Sequence, residues 1–239
     1  MILFIKHVEV EGPGTIEDYF QKAGFHWAIR DLSRGDELPK DLSKLKAVVT
    51  LGGPMNVYEE EKYPFLRVED RFLKQVIQEE VPFLGVCLGS QLLAKSCGAR
   101  VCKSPLKEVG WFQVGLEPTA EEDPLFEGLG PSLDVFQWHE DTFDIPAGGV
   151  LLAKGRDCPH QAFRIGRFAY GIQFHIEVTE GIIAQWCQSY FKSEDFSLRQ
   201  KAQEMVEGYK RKKEDFDKQS DVIYQNFTRL ISHKRVAKG

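Results

Sequence analysis

The sequence predicts an α/β protein: a mainly parallel central sheet flanked by helices, a smaller antiparallel or mixed strand region, and a helical C-terminal appendage. Three observations carry this expectation. Short apolar runs alternate with segments of helical apolar spacing through the first hundred residues, the pattern of a sheet with helices on both faces. Residues 81–94 pass from an apolar run through Gly85-Val86-Cys87-Leu88-Gly89 into a helix-forming segment, which reads as strand, sharp turn and helix. The residues best suited to chemistry stand where strands end, the side on which open α/β sheets bind ligands.

Taken in order, residues 2–5 form a first core strand, too short for a signal peptide. A helix follows over 15–23, capped by Thr15 with Glu17 and Asp18 in its first turn. Strand 47–51 leads to helix 64–80, where Phe65, Val68, Phe72, Val76 and Ile77 recur at helical spacing. Strand 82–86 and helix 89–97 come next, then short strands near 111–116, 133–138, 149–153, 161–165 and 168–174. We expect one domain over 1–190 and a helical extension over 191–239. The apolar positions of the extension suit two amphipathic helices, packed on the core or used to dock a second copy or a partner. Residues 232–239 read as a frayed basic tail.

With 239 residues, 42% hydrophobic and 28% charged, the chain has the composition of an ordinary soluble globular protein. A net charge of −5 argues against a nucleic-acid surface. No segment approaches the ~20 apolar residues of a membrane span. Five cysteines without C-x-x-C spacing make a disulfide framework or a zinc site improbable and suit a reducing cytoplasm.

One of those cysteines stands apart. Gly85 and Gly89 flank Cys87 where a strand turns sharply into a helix, and side chains there would clash with neighbouring backbone. The thiol projects at the positive end of a helix, beside N–H groups able to bind an oxyanion. Cys97, Cys102, Cys158 and Cys187 read as space-filling. A nucleophile needs a base, and 168–177 reads as an apolar strand ending in His175-Ile176-Glu177. Residues i and i+2 of an extended chain share a face, so Glu177 can orient His175 toward a thiol. Of the other histidines, only His139 has a candidate carboxylate. Gly52-Gly53-Pro54, ending strand 47–51, can turn an amide outward; Gly53 and Leu88 are the candidate oxyanion donors.

These segments resemble the triad (class I) glutamine amidotransferases, and most closely their free-standing, GMP-synthase-like branch. The resemblance rests on Gly-Gly-Pro at 52–54, Gly-Val-Cys-Leu-Gly-Ser-Gln at 85–91, Glu-Val-Gly-Trp at 108–111, Phe-Gln-Trp-His-Glu-Asp-Thr-Phe at 136–143 and Gln-Phe-His-Ile-Glu at 173–177. It implies a flavodoxin-like fold, no cofactor or metal, and a reaction in which Cys87 attacks the glutamine side-chain amide to form a glutamyl thioester. It further implies that Gln91 contacts bound glutamine and that Gln137, Trp138 and His139 wall the pocket. Three positions depart from the family pattern: Ser90 where histidine is common, Ile176 for a frequent proline, which should loosen the backbone, and Glu140 for glycine, a charge at the pocket mouth.

Three functions follow as alternatives. The first is a glutaminase passing ammonia to a separate synthetase subunit, since the chain carries no P-loop and no G-x-G-x-x-G. The second is a stand-alone γ-glutamyl peptidase using the same thiol. The third is a non-catalytic glutamine sensor or scaffold, which the intact Cys87, His175 and Glu177 count against.

Overall fold

A computed structural model describes residues 1–192 and 195–236. Its strands are β1 (Ile2–Lys6), β2 (Trp27–Asp31), β3 (Ala47–Thr50), β4 (Phe83–Val86), β5 (Val101–Leu116), β6 (Ser132–Phe143), β7 (Val150–Lys154), β8 (Ala162–Ile165) and β9 (Ala169–Ile172). The helices are α1 (Thr15–Lys22), α2 (Phe65–Gln78), α3 (Leu88–Ser96), α4 (Pro118–Glu121), α5 (Glu180–Tyr190) and α6 (Phe196–Val236). Among the described residues all strands join one sheet in the order β2-β1-β3-β4-β9-β8-β7-β5-β6. The half from β2 to β9 is parallel and the half from β9 to β6 antiparallel, so the expected mixed region continues the same sheet.

Alternation along β1 shows how the layers form. Ile2 and Phe4 face a core shared with Ile16 and Phe20 of α1 and Ile223, Tyr224 and Phe227 of α6. Leu3 and Ile5 face the other side, against Leu66 and Leu73 of α2 and Leu92 and Leu93 of α3. Strands covered on both faces must be apolar throughout, which is why β1, β3 and β4 stand out in the sequence. A third cluster joins Val109 and Phe136 of the antiparallel half to Trp186 of α5 and Met205, Tyr209 and Phe216 of α6.

Several expectations are corrected. The predicted pair of C-terminal helices is a single 41-residue helix, α6, with no proline to break it. Its apolar stripe contributes to both the first and third cores. The helix carries through 232–236, so that part of the expected tail is helical; 237–239 lie outside the described residues. Thr15 does not cap α1. Gly14 does, at φ 52°, where a Cβ would run into the Glu177 carbonyl, and the Thr15 hydroxyl instead meets the Tyr224 hydroxyl at 2.8 Å. The edge strand β2 and helices α4 and α5 add to the elements that the sequence pattern predicts. β5 starts ten residues earlier than expected, crossing Pro105 where its register with β6 shifts between Lys103 and Glu108, the kind of irregularity at which a strand admits proline.

Candidate active site

The site lies where β3, β4 and β9 end. After β4, Cys87 takes φ 52° and ψ −106°, an uncommon backbone conformation for a side-chain-bearing residue. The turn closes because Gly85 and Gly89 let backbone meet backbone: a Cβ on Gly85 would strike the Gly89 carbonyl, and one on Gly89 the Thr50 carbonyl of β3. Cys87 is only 6% exposed, yet its sulfur opens on a cavity of about 270 Å³, a size suited to an amino-acid-sized ligand. Its thiol donates to the Trp138 carbonyl at 3.7 Å.

β9 ends three residues before His175, but the extended path continues, with the His175 N–H donating to the Phe136 carbonyl at 2.8 Å. Both His175 and Glu177 are buried, and His175 Nδ1 lies 2.6 Å from Glu177 Oε1. Burial works to lower the His175 pKa. The Glu177 carboxylate and the Cys87 sulfur outweigh it and hold the imidazole well above its ordinary value. The Trp186 ring meets the imidazole edge-on at 4.8 Å. Ile176 does not loosen this segment. Its N–H donates to Glu177 Oε2 at 2.9 Å, a bond that proline could not make, and its carbonyl accepts from the Tyr224 hydroxyl of α6 at 2.7 Å.

Gly53 and Leu88 both line the cavity, and no hydrogen bond among the described residues occupies either amide N–H. Gln91 also lines it, with its amide nitrogen 3.1 Å from Gln173 Oε1 and 3.3 Å from the Asp141 carbonyl. Trp138 and His139 form part of the wall. Gln137 does not: it is wholly buried outside the cavity, its amide donating to Gln161 Oε1 at 2.7 Å. It shares a strand face with His139, but its side chain is taken up by Gln161, which in turn donates to the Glu108 carboxylate that holds His139. Ser90 is buried and donates to the Cys87 carbonyl at 2.6 Å. Glu140 stands at the mouth, paired with Lys107 at 2.5 Å and Lys103 at 3.5 Å.

Among the described residues, Glu108, His139 and Cys158 form a buried cluster with metal-ligand chemistry, their ligand atoms within 4.8 Å of one another. Hydrogen bonds already engage all three. His139 Nε2 lies 2.8 Å from Glu108 Oε2, Gln161 donates to that same oxygen at 2.9 Å, and the Cys158 thiol donates to the Thr142 hydroxyl at 3.2 Å. Burial raises the Cys158 thiol pKa, which disfavours the thiolate that a metal would need.

Sequence reasoning misses Glu11, Trp186 and Tyr190, all cavity-lining. Tyr190 donates to Glu11 Oε1 at 2.6 Å across 179 residues. Thr179, which caps α5 by accepting from the Ile182 N–H at 3.2 Å, is the available signal for the helix bearing two of them. The sequence also shows no carboxylate for His7; the fold supplies Glu69, at 2.8 Å.

The chain belongs to the class-I glutamine amidotransferase family, whose model matches residues 14–185. It is 32% identical over 187 residues to a glutamine amidotransferase-like protein, YfeJ, of Salmonella typhimurium, covering 75% of this chain and 78% of that one. It is 38% identical over 135 residues to the glutamine-hydrolysing GMP synthase of Thermosipho melanesiensis, covering 56% of this chain but 24% of that enzyme. The chain thus spans about a quarter of the length of the GMP synthases it matches. A glutamine amidotransferase from Thermotoga maritima has the same fold, with a TM-score of 0.86 at 34% identity over 96% of this chain and 97% of that one. No helix among the described residues is long and apolar enough to cross a membrane.

Proposed function

We propose that this protein hydrolyses the side-chain amide of glutamine through Cys87, His175 and Glu177. The observation that carries the reading is the convergence of the three groups: a sulfur and an imidazole lining one cavity, and a carboxylate 2.6 Å from the ring's Nδ1. The Cys87 sulfur attacks the amide carbon as its proton passes to His175. The Gly53 and Leu88 N–H groups bind the oxyanion. The C–N bond then breaks, His175 returns the proton to the departing nitrogen, and ammonia leaves behind a glutamyl thioester. Water adds to the thioester, giving its proton to His175; the C–S bond then breaks, the imidazole returns that proton to the sulfur, and glutamate leaves. Gln91 and the Trp138–His139 wall hold the substrate. The ammonia passes to a separate synthetase subunit.

A second reading, hydrolysis of γ-glutamyl peptides, is favoured by Lys103 and Lys107 at the cavity mouth, whose ammonium groups would exchange Glu140 for the carboxylate of a following residue. Comparing ammonia release from glutamine with glutamate release from γ-glutamyl peptides separates the two. Fast peptide turnover with negligible glutaminase activity would displace the first. We expect Cys87→Ala to abolish turnover with its melting temperature nearly unchanged; residual turnover with a large stability loss would make the cysteine a packing residue.

A further inference from the structure

We propose that His7 and Glu69 are positioning residues for this reaction: Glu69 holds His7, and His7 holds the Gly52 carbonyl so that the Gly53 amide faces the oxyanion. The inference rests on the functional reading above and adds two residues that do not line the cavity.

His7 follows β1, Glu69 lies on α2, and both side chains are completely enclosed. His7 Nδ1 is 2.9 Å from the Gly52 carbonyl and Nε2 is 2.8 Å from Glu69 Oε2. A carbonyl oxygen can only accept, so Nδ1 carries a proton and donates it. Burial lowers the His7 pKa, but Glu69 outweighs it and the net shift is upward, which favours the ring form that donates from both nitrogens.

The direction of the Gly53 N–H follows from peptide geometry. The Gly52 C=O and the Gly53 N–H belong to one planar trans unit and point opposite ways. Tying the oxygen to His7 therefore turns the N–H away from His7. Gly53 sits between His7 and the second donor: a Cβ there would come within 3.1 Å of His7 Cβ and 2.9 Å of Leu88 Cδ2. Two consecutive glycines leave this peptide free to rotate, so an external hydrogen bond is what holds one orientation. Burying an ion pair this deeply is weak stabilisation in itself, and Glu69 Oε1 has no hydrogen-bond partner among the described residues. A role in holding the loop accounts for the pair better than stability does.

The test measures glutamine kinetics and inhibition by glutamate γ-semialdehyde, an aldehyde that adds the thiol to give a tetrahedral oxygen resembling the oxyanion. His7→Ala should lower kcat by at least about tenfold, up to the roughly 100- to 1000-fold of deleting a donor, with KM little changed. Semialdehyde inhibition should weaken by a similar factor. His7→Asn, whose side-chain N–H can take the place of Nδ1–H, should restore most of both. The double variant His7→Phe/Glu69→Leu replaces the ion pair with apolar groups, keeps the fold if the alanine variant does not, and should show the same loss of kcat. Wild-type-like kcat and inhibition in His7→Ala or the double variant overturns the inference. So does a His7→Asn variant as impaired as alanine. A wild-type protein that hydrolyses neither glutamine nor γ-glutamyl peptides overturns the functional reading itself, and this inference with it.

Discussion

Glu11 is a buried carboxyl that opens on the same cavity as Cys87. Burial raises its pKa above the ordinary 4.5, and the Tyr190 hydroxyl donating to it only partly opposes that shift. The native state therefore holds this proton more tightly than the unfolded chain does. The stabilisation is full below about pH 4.5 and is lost as pH rises through the higher native value, by about 1.4 kcal/mol for each tenfold by which folding tightens the proton's binding. Glu11→Gln should melt like wild type near pH 4 and above it at pH 8; parallel melting curves across that range would show the carboxyl titrating normally. A glutamine-like electrophile should label Cys87 far faster than Cys97 or Cys187, whose thiols burial pushes up to about 11, and peptide mapping of the adduct reads this directly. The residues legible in sequence are those whose geometry is local. Cys87 lies between its glycines and His175 is two residues from its carboxylate. His7–Glu69, His139–Glu108 and Tyr190–Glu11 are separated by 62, 31 and 179 residues, and no spacing rule links such partners. Gln137 failed for another reason: its neighbours do wall the cavity, but its own side chain is buried against Gln161, a partner 24 residues away.

At the scale of elements, the strand-turn-helix from β4 into α3 was readable because backbone crowding requires glycine at 85 and 89. Gly89→Ala would push a methyl group into the Thr50 carbonyl, and we expect it to destabilise by more than about 3 kcal/mol or fail to fold, as overpacking against rigid backbone does at its worst. Ordinary expression and melting would mean the elbow can relax. β2 escapes notice because Trp27–Asp31 is a short edge strand, half-buried over most of its length and lacking the continuous apolar run of the central strands. The long β5 is obscured by Pro105 and the exposed, charged residues around it. α6 looks like two helices because its stripe serves two separate cores, one around Tyr209 and Phe216 and another around Ile223 and Phe227. Tyr224 joins this helix to the segment carrying His175 and Glu177. Tyr224→Phe, which removes that hydroxyl, should cost about 1–2 kcal/mol in denaturant unfolding and lower kcat modestly.

Across the whole molecule, α6 completes two of the three cores. Truncation after residue 192 would uncover Met205's and Phe216's partners on one face and those of Tyr224 and Phe227 on another. The shortened protein should aggregate on gel filtration; a monodisperse peak with native circular dichroism would mean that residues 1–192 fold alone. The Tyr224 hydroxyl touches both Thr15, 209 positions away, and the backbone of Ile176. A ribosome emitting this protein therefore releases the sulfur, the imidazole and the carboxylate long before it releases the tyrosine that braces them. Nascent chains arrested short of α6 should hold Cys87, His175 and Glu177 and, on the proposed function, still release no ammonia from glutamine.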